Sequence, residues 1–230
     1  MIDAHIWSTP NSYKITIMLE ETGLPYRVRP VNMIEGEQFT PEFLALNPNN
    51  KIPVIVDDEG PGPEPTVVFE SGAILMYLAE KARTLLPDGP ARWTAIEWLF
   101  WQCASMGPLL GQAHYFRVYA SEKVPHAVDR YTGEAGRLYK VLDGRLGEAE
   151  FLAGDYSVAD IAAFPWVRSR DEQGQELDDY PNIKRWYATI ESRPAVARGL
   201  QVLADKAQTE PLTPAQESVL FGARQRRQGS

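Results

Sequence analysis

The sequence predicts a mixed α/β domain followed by an all-α domain. Over residues 1–82, apolar positions recur at strand and helix spacing in the order strand, helix, strand, helix, strand, strand, helix. From Trp93 onward only helical patterns remain. A stretch rich in proline and glycine, residues 83–91, separates the two regions. We therefore expect domains at residues 1–82 and 92–208, joined by a linker at 83–91.

The first domain has seven predicted elements, whose order matches the thioredoxin-like arrangement. The strands are expected at residues 2–6, 26–31, 52–56 and 66–69, and the helices at 12–22, 41–46 and 70–81. A strand–helix–strand crossover is nearly always right-handed and joins parallel strands. Residues 58–65, with two glycines and three prolines, instead predict a hairpin loop between antiparallel strands. In a thioredoxin-like domain such a hairpin completes a mixed sheet.

The second domain is predicted from helical periodicity alone. Its helices are expected at residues 93–112, 124–146, 158–167, 182–192 and 195–206. Ser157 and Asp160 match a variant of the capping box at the start of the third of these helices. Residues 209–230 are polar and end in an arginine cluster at 224–227, so we expect a loose, solvated tail there.

Charge and cysteine content exclude several classes of protein. The formal net charge of -8 argues against a broad nucleic-acid-binding surface, which needs clustered lysine and arginine. A single cysteine, Cys103, excludes an intramolecular disulfide and hence a disulfide-stapled scaffold. The first residues do not resemble a signal peptide, and no apolar run is long enough to cross a membrane. We expect a cytoplasmic protein without membrane or nucleic-acid partners.

Lys51, Ile52 and Pro53 stand at the entry of the third predicted strand. One interpretation is a buried strand that begins with proline, a position that proline tolerates. In a thioredoxin-like order, however, a cis proline occupies this place beside the active site. A cis bond would leave the amide and carbonyl of Ile52 outside the sheet. The backbone of a bound peptide could then pair with them.

Two further segments are candidates for binding the same ligand. Glu70 and Ser71 open the last helix of the first domain, where free amides, a hydroxyl and the helix dipole could hold a carboxylate while Glu70 accepts from an ammonium. Residues 8–12 form the first strand-to-helix loop, where a hydroxyl or a side-chain amide could donate to a ligand thiol near Pro53. Donors of this kind favour the thiolate, which is the nucleophile. Ordinary helix capping is the alternative at both places.

Together these segments resemble the glutathione transferase family. The resemblance extends to about residue 205 and is carried by the loop at 8–12, the run at 50–53, the stretch at 69–74 and the capping box at 157–160. Within the family, the bacterial nu class is the most similar subgroup, and its members reduce disulfides with glutathione. The segments that point to this class are 9–16, 36–39, 49–53, 98–102 and 130–131.

The resemblance implies a set of glutathione-binding residues and a homodimer. The implied ligands of glutathione are Asn11, Gln38, Lys51, Ile52, Pro53, Glu70 and Ser71. Thr9 and Asn11 would act on the sulfur as the catalytic pair. Arg130 would reach in from the helical domain and pair with a glycine carboxylate or a second glutathione. The dimer is expected to form through the helices at 70–81 and 93–112.

Several activities remain open from the sequence. The first loop lacks cysteine, so glutathione-dependent disulfide reduction without a protein thiol is the favoured function, with a small-molecule disulfide as substrate. Conjugation of glutathione to an electrophile, peroxide reduction and non-catalytic glutathione binding are the alternatives. Cys103 lies in a strongly apolar helix and is expected to be structural. The three histidines show no metal-ligand spacing, so we expect no metal cofactor and take glutathione as the co-substrate.

Overall fold

Four strands form one mixed sheet in the spatial order β2-β1-β3-β4. The computed structural model describes residues 1–208 and 211–222. The strands are β1 (Ile2–Ile6), β2 (Tyr26–Pro30), β3 (Val54–Asp57) and β4 (Thr66–Phe69). β1 pairs in parallel with β2 and antiparallel with β3, and β4 pairs antiparallel with β3. The predicted thioredoxin-like sheet, completed by an antiparallel hairpin, is confirmed.

Ten α-helices accompany the sheet within the described residues. They are α1 (Pro10–Thr22), α2 (Pro41–Leu46), α3 (Ser71–Ala82), α4 (Pro90–Trp101), α5 (Gly107–His114), α6 (Pro125–Glu148), α7 (Val158–Arg168), α8 (Pro181–Glu191), α9 (Pro194–Gln201) and α10 (Pro214–Leu220). The first three belong to the α/β part of the chain and the others follow it. This confirms the predicted fold class, an α/β thioredoxin-like domain before an all-α domain. None of these helices is both long and apolar enough to span a membrane.

Helix α1 is the central element of the molecule. Thr9 caps its first turn and Gly23 ends it in the left-handed conformation at φ 67°, which glycine adopts without a steric cost. Its residues from Ser12 to Leu19 are all buried, because α3 of the α/β domain and α7 and α9 of the helical domain all pack against it. The Thr16 hydroxyl donates to the carbonyl of Gly199 at 2.8 Å. Helix α1 therefore joins the two parts of the chain.

The helix predicted at residues 93–112 is interrupted by a π-helical segment. It begins earlier, at Pro90, and continues through a π segment at Gln102–Met106 into α5. A π segment inserts one residue into the helical repeat and rotates the residues that follow it, and such segments are frequent at functional sites. The side chain of Gln102 at its start is completely buried. The insertion thus turns a polar side chain toward the α/β domain.

Part of the expected loose tail is helical. In α10, Thr213 and Gln216 form a capping box and Pro214 occupies the first turn, so local signals start the helix in spite of its polar composition. The ring of Phe221 then packs edge-on against Tyr115 at 4.9 Å. The expectation of a loose tail is therefore corrected for residues 211–222. The arginine cluster at 224–227 lies outside the described residues.

The capping box of α7 is a buried hydrogen-bond centre. The Asp160 carboxylate accepts from the amides of Leu152 and Ser157, both at 3.0 Å, and from the indole N–H of Trp186 at 2.8 Å. It is completely buried. One side chain therefore ties together the start of α7, the loop before it and α8.

Replacing this carboxylate should destabilise the helical domain. Asp160→Ala removes the acceptor of four buried donors, which are the two amides, the indole N–H and also the Ser157 hydroxyl, and we expect the free energy of unfolding to fall by about 3 kcal/mol or more. Urea denaturation followed by circular dichroism measures it. The matched control is Gln216→Ala, which removes the corresponding capping-box side chain from the peripheral helix α10, where its bond to the Thr213 amide is exposed, and should change the value by less than about 0.5 kcal/mol. Equal stability of the two variants would contradict this role of Asp160.

Candidate active site

Two adjoining cavities of about 410 Å³ each open between the α/β domain and the helical domain. The first-loop cavity is the one lined by Thr9, Gln38, Lys51 and Ile52, and the α3 cavity is the one lined by Lys14, Glu70, Ser71 and Gln102. Both are also lined by Asn11, Gly111, Tyr115, Trp166 and Phe221. Most of the predicted ligand-binding residues therefore come together in one continuous cleft.

Arg130 lies apart from this cleft. It is exposed on α6 and lines neither cavity. One helical turn further along, the hydrogen bond from Arg137 lowers the pKa of the Glu134 carboxyl, and the charge of Arg130 adds a smaller effect in the same direction. The structure of one chain thus does not bring Arg130 to the other predicted residues.

The Ile52–Pro53 peptide bond is cis, as the sequence predicts. The pairing of β3 with β1 begins at Val54, so Ile52 precedes the ladder and its backbone groups are not used by the sheet. The side-chain amide of Asn47 donates to the carbonyl of Lys51 at 2.7 Å and holds the turn before it. Ile52 therefore lies in a bend at the edge of the first-loop cavity, with backbone groups outside the ladder.

The start of α3 forms one wall of the α3 cavity. Glu70 occupies the N-cap position with φ 69°, and no side chain caps the helix. The first turn of an α-helix carries amides without intrahelical partners and a positive partial charge. Ser71 begins the helix and is buried. Amides, hydroxyl and dipole together can hold a carboxylate, and the exposed carboxylate of Glu70 can accept from an ammonium beside it.

A buried lysine lies directly behind Ser71. The Lys14 ammonium donates to Ser71 Oγ at 3.2 Å and to Gln102 Oε1 at 2.6 Å, and its side chain is only 1% exposed. Burial lowers the pKa of Lys14 to about 8, although the nearby Cys103 and Glu70 act in the opposite direction. Because an ammonium only donates, Ser71 Oγ accepts from Lys14 and keeps its own proton for a ligand.

Sequence reasoning missed Lys14 and Gln102 as site residues. A signal for Lys14 was present, because it precedes Met18 by four residues and so lies on the same face of α1. Gln102 gave no comparable signal, since its orientation depends on the π segment. Lys14 and Gln102 lie within the longer segments 9–16 and 98–102 that carry the family resemblance.

Two buried amide groups in the cleft have an atom without a hydrogen-bond partner among the described residues. Gln38 donates through Nε2 to the carbonyl of Met33 at 3.2 Å, but its Oε1 has no donor. Gln102 accepts from Lys14, but its Nε2 has no acceptor. An unsatisfied buried polar atom costs about 1–3 kcal/mol. Gln38 lines the first-loop cavity and Gln102 lines the α3 cavity, so each cavity has one unsatisfied buried amide in its wall.

The two predicted catalytic residues differ in their hydrogen bonds. Thr9 Oγ1 accepts from the amide of Ser12 at 3.4 Å and donates to Ser12 Oγ at 3.2 Å, so it caps α1 while it lines the first-loop cavity. Asn11 Oδ1 accepts from the indole N–H of Trp166 at 3.0 Å. Thr9 therefore has the capping role that the sequence left as an alternative, whereas Asn11 contacts the helical domain.

The chain is similar to known proteins in both its α/β part and its helical part. Residues 9–81 match the family model described as glutathione S-transferase, N-terminal domain, and residues 100–194 match glutathione S-transferase, C-terminal domain. The disulfide-bond oxidoreductase YfcG of Escherichia coli is 48% identical over 203 residues, which cover 87% of this chain and 94% of that protein. The chain belongs to the glutathione S-transferase family.

Three further proteins are similar to this chain along most of its length. The disulfide-bond oxidoreductase YghU of E. coli is 41% identical over 83% of this chain and 71% of that protein. A Pseudomonas fluorescens family member with two glutathione bound is 44% identical, with a TM-score of 0.82 over 87% of this chain and 92% of that one. A Pseudomonas putida glutathione transferase with one glutathione disulfide per subunit is 42% identical, with a TM-score of 0.83 over 87% and 91%.

The buried lysine predicts a rise in stability at alkaline pH. Between its lowered pKa of about 8 and the usual 10.5, Lys14 has released its proton in the folded chain but keeps it in the unfolded chain. The unfolded state then binds more protons, so the free energy of unfolding increases with pH over this range, by up to about 3 kcal/mol. Lys14→Met should abolish the increase.

Urea denaturation at pH values from about 7.5 to about 10 measures this increase in the free energy of unfolding, because the range begins just below the lowered pKa of Lys14 and ends near the usual one. Cys103 must be removed first, because burial raises the pKa of its thiol and its titration lowers stability in the same window. The measurement therefore compares Cys103→Ala with Cys103→Ala/Lys14→Met. Parallel pH profiles of the two proteins would show that Lys14 does not titrate as described.

Proposed function

We propose that the cleft binds glutathione and that the glutathione thiolate, rather than a protein cysteine, reduces small-molecule disulfides. The observation that carries the proposal is the set of unsatisfied groups around one continuous cleft: Gln38 Oε1, Gln102 Nε2 and the uncapped start of α3. Each suits a part of an extended peptide with two carboxylates and an ammonium. The names of the similar oxidoreductases support the reaction.

In the proposed complex, glutathione lies in the cleft in one orientation. The α-amino acid end of its γ-glutamyl residue would lie in the α3 cavity, with the carboxylate at Ser71 and the positive charge of Lys14 behind it, and the ammonium at Glu70. The backbone of its cysteine would pair with Ile52. The sulfur would then lie near Thr9 and Asn11. Gln38 and Lys51 line the remaining part of the first-loop cavity, toward the glycine end.

Cys103 is poorly suited to act as the nucleophile. It lines the α3 cavity rather than the first-loop cavity, and a Cβ at Gly72 would approach its sulfur to 2.8 Å. Burial raises the pKa of the thiol, so the protonated and unreactive form dominates at neutral pH. The reactive sulfur therefore comes from the ligand.

The reaction would proceed by two thiol–disulfide exchanges. The bound glutathione thiolate attacks one sulfur of the substrate disulfide, which forms a mixed disulfide and releases the other half as a thiolate that takes up a proton. The thiolate of a second glutathione attacks the glutathione sulfur of the mixed disulfide. This yields glutathione disulfide and the second substrate thiol. Two glutathione molecules lose two electrons in total, and the substrate disulfide gains them.

One similar structure has two glutathione molecules bound, and another has one glutathione disulfide bound per subunit. Both support the proposal that such a cleft has room for the two reactants. Arg130 remains a prediction as a ligand of the glycine carboxylate or of the second glutathione, because it lies outside the cleft of its own chain.

A cytoplasmic location is proposed on chemical grounds, since that compartment keeps its glutathione pool reducing.

Substitutions at Asn11 and at Cys103 should show whether the reactive thiol belongs to the ligand or to the protein. Asn11→Ala removes a donor to the thiolate, and we expect kcat for glutathione-dependent reduction of a model disulfide to fall about tenfold or more. Cys103→Ala should retain most of the activity. The rate is measured by coupling glutathione disulfide formation to a reductase. Loss of activity in Cys103→Ala with retention in Asn11→Ala would contradict the mechanism.

The same assay separates the proposed function from its alternatives. A high rate with an aryl halide and negligible disulfide reduction would favour conjugation. A high rate with a hydroperoxide alone would favour peroxide reduction. Glutathione binding without turnover of any of the three would indicate a binding protein.

We also infer a homodimer, formed through the exposed face of α4 and the neighbouring α3. Trp93 and Phe100 stand seven residues apart on one face of α4 and are 66% and 62% exposed, an unusual exposure for large apolar side chains. Phe69, which precedes α3, is also exposed. Covering these side chains with a second copy would remove them from water.

A charge on this face should dissociate the dimer. Phe100→Glu would bury an unpaired carboxylate in the interface, so we expect a monomer at micromolar concentration where the wild-type chain is a dimer. Analytical ultracentrifugation measures the mass. The control is Val141→Glu, an equally apolar-to-acidic change at a partly exposed position on α6, which should leave the dimer intact. A wild-type monomer would disprove the dimer itself.

A further inference from the structure

Trp166 makes a direct contact between the helical domain and the first loop. It lies near the end of α7, lines both cavities and donates its indole N–H to Asn11 Oδ1 at 3.0 Å. Asn11 belongs to the first turn of α1 in the α/β domain.

This hydrogen bond determines which way the Asn11 amide points. An indole N–H only donates, so the atom of Asn11 that faces it must be the oxygen. The Nδ2 group therefore lies on the other side of the amide. It has no hydrogen-bond partner among the described residues, although Asn11 lines both cavities. Its two N–H donors are thus left for a ligand.

The indole itself is held in place from two directions. A Cβ at Gly111 would lie 3.4 Å from the indole ring and one at Gly107 would lie 3.6 Å from it, so the two glycines let the α5 backbone pack closely against the ring. The backbone carbonyl of Trp166 accepts from Gln173 Nε2 at 2.8 Å. The buried Gln173 accepts in turn from the Tyr139 hydroxyl at 2.9 Å. The indole is therefore a rigid donor.

The other candidate donor to the sulfur, Thr9, is less available. Its single hydroxyl proton is directed to Ser12 Oγ at 3.2 Å. A ligand sulfur would have to compete with this contact, whereas Asn11 Nδ2 has both of its N–H groups free for the cleft. Of the two predicted catalytic residues, Asn11 is therefore the one whose donors are already oriented.

We propose that Trp166 is a positioning residue that holds the Asn11 amide with its N–H donors toward the sulfur of bound glutathione. This inference rests on the proposed function. Hydrogen bonds to a charged form stabilise that form, so the oriented amide lowers the pKa of the bound thiol. Without the indole N–H, the amide can rotate and place its oxygen against the sulfur. An acceptor in that place disfavours the thiolate.

Trp166→Phe tests the proposal, because it removes the N–H and keeps an aromatic ring against α5. The pKa of bound glutathione is followed by the ultraviolet absorbance of its thiolate, and kcat and KM by disulfide reduction at saturating substrate. We expect the thiol pKa to rise, kcat at neutral pH to fall roughly three- to tenfold, as for the loss of one hydrogen bond, and KM for glutathione to stay within about twofold. Trp98→Phe, the same change on α4 outside both cavities, should leave all three unchanged.

A double-substituted protein shows whether Trp166 acts through Asn11. If it does, Asn11→Ala/Trp166→Phe should be no slower than Asn11→Ala alone, because the group to be positioned is already absent. If kcat of the double-substituted protein falls by the product of the two single-variant losses, the proposal is overturned. An unchanged thiol pKa in Trp166→Phe would overturn it as well. Asn11→Asp provides a second test that keeps Trp166. Its carboxylate still accepts from the indole but cannot donate, so the thiol pKa should rise.

The outcomes also distinguish this inference from the proposed function. A wild-type protein that neither lowers the pKa of the glutathione thiol nor turns over disulfides would overturn both. A wild-type protein that does both, with a Trp166→Phe variant that matches it in pKa and kcat, would overturn the role of Trp166 alone.

Discussion

The buried ammonium of Lys14 is the interaction on which the candidate site depends. It lies on α1 and reaches both Ser71 at the start of α3 and Gln102 in the π segment of the helical domain. A buried charge is costly unless hydrogen bonds compensate for it, so both partners must be in place when the domains pack. This requirement couples the shape of the cleft to domain packing. A positive charge is thereby kept at the floor of a pocket suited to a carboxylate.

The packing around α1 explains how such a charge can stay buried. Gly199 on α9 lies so close that an added Cβ would come within 2.8 Å of the Ile17 backbone, and the Thr16 hydroxyl bonds its carbonyl. At the far end of α1, Glu21 pairs with Arg193 at 2.6 Å. These contacts hold α1 between the domains along its whole length. Water is excluded from the buried side, and the polar first turn faces the cleft.

The sequence predicted the elements well where local chemistry decides them. The capping box at Ser157 and the hairpin after Asp57 depend on a few adjacent residues, whereas the cis bond before Pro53 follows from its place in the thioredoxin-like order of elements. Lys14, Gln102 and Trp166 were missed as site residues because their roles depend on how the two domains pack. A periodicity argument places a lysine on a helix face but does not show what lies opposite.

Helix α10 was missed for a different reason. Its capping box at Thr213 and Gln216 is a local signal that was present in the sequence, but the polar composition of the tail outweighed it. The helix is stabilised by tertiary contact, since Phe221 packs against Tyr115 and Tyr119 at 4.9 and 5.5 Å. Short helices in water are marginal without such contacts. Composition alone therefore underestimated how much of the chain covers the cleft.

The position of the only cysteine places the reactive sulfur on the ligand. Cys103 is adjacent to Gln102 and packs against Gly72, so the same packing that buries Lys14 also keeps this thiol protonated. The α3 cavity therefore has the charge and the donors for an amino-acid group but no reactive protein sulfur among the residues that line it. The Asn11 amide, which is free to donate, lines both cavities and belongs to the first turn of α1, beside the place proposed for the sulfur. A ligand has to span both cavities and bring its own thiol to the first loop, which a tripeptide with a central cysteine can do.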